Sequence, residues 1–124
     1  MAKPESVIYD RLTDSIYVSN INGEALELDK NGFISKISIN GNIIEKNWVK
    51  GLDGPKGMAI YNNFLFVSDI NKIWKISLKD KKMVAFKIND AGFLNDLTVD
   101  SKGNIYASDM FKNQIYILKN NNLS

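Results

Sequence analysis

The chain has 124 residues, which is enough for one domain and too few for two of ordinary size. Hydrophobic residues make up 44% of the chain, charged residues make up 24%, and the net charge is +2. This charge is too small for a nucleic-acid platform, and no apolar run approaches the roughly 18 residues that a membrane helix needs. Because the chain has no Cys and no His, we exclude disulfides, thiolate or imidazole metal sites, and Cys or Ser-His-Asp nucleophiles.

An internal repeat organises the sequence. Each copy contains a short apolar run that ends in Ser, then Asn or Asp, then another apolar residue. The three runs cover residues 14–21, 63–70 and 103–110. A shorter apolar segment precedes each run and another follows it, at residues 7–9 and 34–37, 58–60 and 73–76, and 97–99 and 115–118. These segments are rich in β-branched and aromatic residues and are bounded by turn residues, so they predict strands.

Turn signals and further apolar segments complete the pattern. Residues 100–103 and the pair Asn40-Gly41 predict hairpin turns. A fourth strand is predicted at residues 43–48 and 83–88, whereas the third unit stops at residues 120–124, where its fourth strand should begin. The insertion at residues 20–32 predicts a long loop. No window keeps a helical period for three turns, so we predict no helix.

Four short antiparallel strands in about 40 to 50 residues are typical of one β-propeller blade. We therefore predict an all-β fold, a partial β-propeller of about three four-stranded antiparallel blades in one domain. The blades cover residues 4–50, 51–93 and 94–124, and the third is incomplete. Because propellers close with about 4 to 8 blades, we expect either a piece of a longer protein or self-association, most simply as a homodimer through open blade faces.

The segment FLNDLTVDSKGN, residues 93–104, resembles the N-D-x-x-V-D-x-x-G motif of the gluconolactonase/regucalcin (senescence marker protein) family. These proteins are six-bladed propellers of the calcium-dependent phosphotriesterase superfamily. A weaker resemblance links residues 4–9 to the glutamate-containing segment that opens the first blade of the family. The resemblance covers essentially the whole chain, in register with the first half of a family member.

The resemblance implies a metal site and a substrate pocket. In that family a divalent cation, often Ca²⁺, lies in the central channel, and Glu5 matches one of its ligands. The other matching ligands would fall beyond Ser124, so the cation belongs to an intact propeller, and we expect no cofactor for this chain alone. Asn95 matches an asparagine that contacts substrate, whereas Phe93 stands where the family commonly has an arginine.

The repeat adds candidates to this pocket. Glu5, Lys56 and Asn95 occupy equivalent places before the three repeated runs, so all three are predicted to face one channel. Asp96 is a pocket candidate as well, although a role in the turn between blades would explain it equally. We predict no catalytic residue in this chain.

The acidic residues that end two of the repeated runs have a structural interpretation. Asp69 and Asp109 look like a metal pair, but a residue that recurs in each unit usually serves the repeated fold. We therefore predict that their carboxylates accept hydrogen bonds from backbone in the turn that follows.

Three functions remain open at this stage. The first is a small-molecule or metal-binding propeller scaffold without a complete active site. The second is a fragment of a divalent-metal-dependent lactonase or related hydrolase, and the third is an interaction propeller of the NHL-repeat type. No apolar stretch follows the first three residues, so we expect no signal peptide and either a cytoplasmic protein or a mature extracytoplasmic form.

Overall fold

A computed structural model describes residues 3–22 and 30–124. Twelve strands and no helix occur in these residues, which confirms the all-β prediction. The strands are β1 (Lys3–Asp10), β2 (Ser15–Ile21), β3 (Gly32–Ser38), β4 (Ile43–Leu52), β5 (Pro55–Tyr61), β6 (Phe64–Asp69), β7 (Lys72–Ser77), β8 (Met83–Lys87), β9 (Leu94–Val99), β10 (Ile105–Asp109), β11 (Gln114–Lys119) and β12 (Asn122–Leu123).

The strands form three four-stranded sheets, each of which follows chain order. The first sheet has the order β1-β2-β3-β4, the second β5-β6-β7-β8, and the third β9-β10-β11-β12. The pairings that the structure gives inside them are antiparallel. Each repeated sequence run becomes an inner strand, namely β2, β6 and β10. The side chains of these three strands are mostly buried, which explains the apolar character of the repeated runs.

The turns form where the sequence predicted them. In the β9–β10 hairpin, Gly103 has a φ of +88° and donates its N–H to the carbonyl of Asp100 at 3.1 Å. A left-handed conformation of this kind favours glycine because it has no Cβ. Residues 23–29 of the predicted long loop lie outside the described residues.

Strand boundaries differ from the sequence prediction by a few residues, as β4 shows. Strand β4 continues from Ile43 to Leu52, beyond the predicted end at residue 48. Its pairing with β3 contains three register shifts. Because a register shift interrupts the alternation of buried and exposed side chains, the full length of such a strand is hard to predict from the sequence. In the third sheet, a fourth strand β12 of only two residues forms within residues 120–124, where the sequence analysis predicts that the third unit stops. The third blade is incomplete, as predicted, because this strand is so short.

The chain divides into two compact units, Met1–Lys56 and Gly57–Ser124. In the first unit, the buried rings of Tyr17 and Trp48 are in contact, with centroids 4.7 Å apart. In the second unit, one buried cluster joins side chains from the second and third sheets. It consists of Ala59, Phe66, Ile73, Ile88, Leu94, Leu97, Ile105, Ala107 and Leu118.

Buried serine hydroxyls connect adjacent sheets. In the second unit, the hydroxyl of Ser68 on β6 donates to the carbonyl oxygen of Asn95 on β9 at 2.6 Å. In the first unit, the hydroxyl of Ser19 on β2 donates to the carbonyl oxygen of Lys56, the second residue of β5, at 2.8 Å. Both serines are fully buried and hold the same place in the sequence repeat. The repeated serine therefore links the inner strand of one sheet to the first strand of the next.

Across the described ranges, no helix has the length and apolar character needed to cross a bilayer.

Replacing Ser68 with alanine should lower the free energy of unfolding by about 1–3 kcal/mol, because it leaves buried polar groups without partners. These groups are the carbonyl of Asn95 and the N–H of Gly57, which donates to the Ser68 oxygen at 3.0 Å. Chemical denaturation measures the effect. Ser101→Ala, at an exposed turn residue, is the matched control and should change stability by less than about 0.5 kcal/mol. Equal stability of the two variants would contradict the role of this hydroxyl.

Candidate functional site

The two predicted site residues of the first unit differ in exposure. Glu5 is exposed on β1, within the register shift between Pro4 and Ser6. Lys56 is only 4% exposed, and its carbonyl oxygen accepts the hydrogen bond from Ser19. The backbone of Lys56 therefore takes part in the connection between sheets.

Asn95 and Asp96 begin β9 in the second unit. The carbonyl of half-buried Asn95 accepts the hydrogen bond from Ser68. Asp96 is exposed, its carboxylate accepts the N–H of Leu97 at 2.8 Å, and its own N–H donates to the Ser108 hydroxyl at 3.1 Å. Asp96 also lines a shallow cavity of about 200 Å³ on the third sheet.

The shared channel remains a prediction, because Glu5 and Lys56 belong to one compact unit and Asn95 to the other. Lys56 and Asn95, which hold equivalent places in the sequence repeat, also make equivalent backbone hydrogen bonds. Each carbonyl accepts the hydroxyl proton of the repeated serine in the preceding sheet. The same backbone geometry therefore recurs at both positions.

The described residues do not fit a divalent cation. Residues 3–22 and 30–124 contain no group of three or more His, Cys, Asp or Glu side chains that could hold a metal ion. Calcium takes 6 to 8 oxygen ligands, and its affinity rises with the charge of those ligands. The carboxylate of Glu5 alone supplies little of such a shell.

Asp109 serves the fold, as predicted. Its carboxylate accepts backbone N–H groups of Phe111 and Lys112 in the following turn, both at 3.1 Å. It also accepts those of Gly92 and Phe93, at 2.7 and 2.9 Å, from the segment that enters β9. Burial raises the pKa of Asp109, but these four hydrogen bonds outweigh burial and hold the pKa below its ordinary value. In the second sheet, Asp69 accepts a hydrogen bond from the Trp74 indole at 2.8 Å.

A groove around Lys75 was not predicted from the sequence. Its cavity of about 510 Å³ lies within the usual range for small-molecule sites, roughly 300–1,000 Å³. We call it the Lys75 groove, and it is lined by Phe64, Lys75, Ser77, Asp80, Lys82, Val84, Phe86 and Asn121. The Lys75 Nζ lies 4.3 Å from the centroid of the Phe64 ring and donates to the Asn121 Oδ1 at 3.2 Å.

An adjoining cavity of about 210 Å³ shares Phe64, Lys75 and Asn121 with the Lys75 groove. It adds the exposed ammonium of Lys102 and the ring of Tyr61. Lysines and aromatic rings therefore surround the region on both sides of Lys75. No local pattern in the sequence predicts this site, because its residues come from strands and turns of two different sheets.

Comparisons with known proteins identify the architecture. No protein-family model and no curated protein matches the chain. Among solved structures, a chain of a nidogen–laminin complex is 14% identical, with a TM-score of 0.70 over 94% of this chain and 43% of that chain. Virginiamycin B lyase from Staphylococcus aureus is 20% identical, with a TM-score of 0.71 over 98% and 40%. A gluconolactonase-like protein is 20% identical, with a TM-score of 0.68 over 95% and 44%.

The fold is a partial β-propeller. Its predicted similarity to gluconolactonase-like propellers is confirmed at the level of the fold. The chain spans less than half the length of each of these three solved chains. Identities this low show the fold alone, so the activities of these proteins are not carried over to this chain.

In this partial propeller, the family-like motif at residues 95–103 builds a hairpin around Asp100. The carboxylate of Asp100 accepts the Asn104 amide at 2.9 Å and the Tyr106 hydroxyl at 2.8 Å. It also accepts the backbone N–H groups of Asn104 and Lys102, both at 2.9 Å. The Asn104 amide first, and then the other three donors, hold the pKa of Asp100 at about 2, below its ordinary value of 3.8. The four hydrogen bonds to Asp100 thus explain how this segment forms its hairpin.

The Asp100 carboxyl should titrate with a midpoint near pH 2 in the folded protein. Since its pKa is lower folded than unfolded, its contribution to stability is complete above pH 3.8 and is lost as the pH falls through about 2. Carbon-13 NMR of the carboxyl group measures the midpoint. Tyr106→Phe removes one donor and should raise it, whereas Tyr116→Phe, whose hydroxyl bonds Asp109, should not. An unchanged midpoint in Tyr106→Phe would be the contrary result.

Proposed function

We propose that this partial β-propeller is a small-molecule-binding scaffold and that the Lys75 groove is its ligand site. The ligand class is a flat apolar or aromatic compound that carries a carboxylate or similar anion. The proposal rests on one observation: an ammonium group is held beside an aromatic ring in a groove of ligand size. In this arrangement the ring of Phe64 would stack on the ligand while Lys75 would bind its charge.

The charges around the groove support an anionic ligand. Lys75 and Lys82 line it, and Lys102 lines the adjoining cavity. Asp80 is the single acid of the groove lining, and its carboxylate lies 3.9 Å from the Lys82 Nζ. An exposed pair of this kind contributes little energy, about 0–1 kcal/mol, so Lys82 stays available to a ligand.

The contacts of Lys75 support its role as the anion-binding group. Its ammonium can donate three hydrogen bonds, and Asn121 accepts one of them. The contact with Phe64 holds the ammonium near the groove, at an energy of about 0.5–1 kcal/mol for a partly exposed site. A carboxylate could therefore bind the remaining donors without displacing the side chain.

Wild-type protein should bind 2-naphthoate more tightly than its neutral analogue 2-naphthamide, because only the former carries the charge. Lys75→Met keeps the apolar stem but removes the ammonium, and should weaken naphthoate binding by about tenfold. NMR chemical-shift titration measures both affinities. Lys87→Met is the control, since Lys87 is exposed on β8 and does not line the groove. Equal binding of the two compounds to wild type, or an unaffected Lys75→Met, would contradict the proposal.

A metal-dependent hydrolase has less support than a small-molecule-binding scaffold. That reading needs Glu5 together with further acidic or amide ligands in one shell. Glu5 is exposed, and the described residues include no group of three metal-binding side chains.

Calorimetric titration with Ca²⁺ should give no tight stoichiometric binding to this chain. One exposed carboxylate leaves most of the coordination shell to water, and such a site holds Ca²⁺ weakly. Glu5→Gln should give the same titration curve as wild type. Tight one-to-one binding that disappears in Glu5→Gln would restore the metal-dependent reading.

A further inference from the structure

We propose that the outer face of the third sheet binds strand β1 of a second copy of this chain. We call this surface the third-sheet face and define it by Asp96, Thr98, Tyr106, Ser108 and Ile115, which together with Leu97 line the shallow cavity of about 200 Å³. In the proposed contact, the Ser108 hydroxyl donates to the carbonyl of the partner's Glu5. The proposal is independent of the Lys75 groove.

The corresponding face of the second sheet is covered within the chain. Ile73 is paired with Ser68 in the same way that Ile115 is paired with Ser108. Ile73 is 0% exposed in the buried cluster that joins the second and third sheets, whereas Ile115 is 67% exposed. A side chain that is buried in one sheet therefore lies in solvent at the same position of the next.

The serine on this face lacks the acceptor that its counterparts have. Ser68 accepts a backbone N–H of its own sheet and donates to the carbonyl of Asn95 in the next sheet. Ser108 accepts the N–H of Asp96 in the same manner. Within residues 3–22 and 30–124, its hydroxyl donates to no acceptor. The third-sheet face thus offers a donor at the place where a following strand presents a carbonyl.

Strand β1 carries the features of such a following strand. Ser6 pairs with Ser19, and Glu5 precedes Ser6 at the register shift, so the Glu5 carbonyl corresponds to those of Lys56 and Asn95. The next side chain on the strand, Val7, is 65% exposed. Its counterparts Met58 on β5 and Leu97 on β9 are 7% and 6% exposed.

One chain therefore carries both halves of a contact that it already makes internally. A second copy satisfies both halves at once, because in a two-fold dimer each third-sheet face meets the partner's β1. Closed two-fold dimers are the commonest arrangement of soluble oligomers. Two copies with three blades each also supply six blades, within the range of about 4 to 8 at which propellers close.

The side chain of Asp96 crowds the proposed contact, because the equivalent position between the second and third sheets has no side chain. The equivalent residue in the second sheet is Gly57, where an added Cβ would lie 2.7 Å from the Leu97 nitrogen. In the first sheet the equivalent residue is Ser6, which shows that a small side chain is compatible with the serine-mediated contact. Asp96→Ser should therefore tighten the dimer, because it removes a charge that must otherwise remain at the rim.

Sedimentation equilibrium at high micromolar concentration tests the proposal. Wild-type protein should have a mass of about twice the 14.0 kDa of one chain. Ile115→Lys and Val7→Lys each place a charge in the contact and should be monomeric. Ile39→Lys is the matched control and should remain a dimer, since Ile39 is 56% exposed in the turn between β3 and β4 and belongs to neither β1 nor the third-sheet face.

Mixing the two variants separates this contact from other dimers. Ile115→Lys keeps an intact β1, and Val7→Lys keeps an intact third-sheet face, so an equimolar mixture should form a heterodimer through one contact, weaker than the wild-type dimer. Monomeric wild type, a dimeric Val7→Lys, or a mixture without heterodimer would overturn the proposal. The far-ultraviolet circular dichroism spectrum of each variant should match that of wild type, because both residues are exposed and each monomer stays folded. The unfolding temperature should be higher for wild type, because association stabilises the folded chain.

Discussion

The architecture depends on a buried serine hydroxyl that must find partners on two adjacent sheets. Ser68 accepts a hydrogen bond from its own sheet and donates one to the next. Such a hydroxyl is costly to bury alone but stabilising when its bonds are complete. This requirement fixes the position of the following strand, whose backbone must present a carbonyl at one point. The same arrangement in the first unit, at Ser19, explains why serine recurs in the repeat.

This constraint separates the residues that build the propeller from those that can carry function. The backbones of Lys56 and Asn95 serve the connection between sheets, and Asp100 and Asp109 use their carboxylates to hold turns. Two of the positions predicted to line a polar channel, Lys56 and Asn95, are therefore also positions at which the backbone connects two sheets. The Lys75 groove does not have such an explanation. Its ammonium and aromatic ring lie side by side in a cavity of ligand size.

The same constraint has a consequence for association. Among the described residues, the Ser108 hydroxyl lacks the acceptor in a neighbouring sheet that Ser19 and Ser68 have. Ile115 on the third-sheet face and Val7 on β1 are exposed, at positions that are buried elsewhere in the chain. Apolar surface of this kind favours association. The proposed dimer and the internal contact between sheets are therefore two uses of one interaction.

The sequence by itself determined the strands and much of the turn chemistry, because strand periodicity, turn residues and backbone capping are local. All eleven predicted strands form, and Asp109 caps its turn as expected. Glu5 and Asn95 are site candidates through family resemblance, the repeat adds Lys56, and the channel that these three residues would share remains a prediction. The Lys75 groove was decided only by tertiary structure. Lys75 faces Phe66 through strand pairing and meets Asn121 from 46 residues away, and no local pattern encodes which distant side chains a sheet brings together.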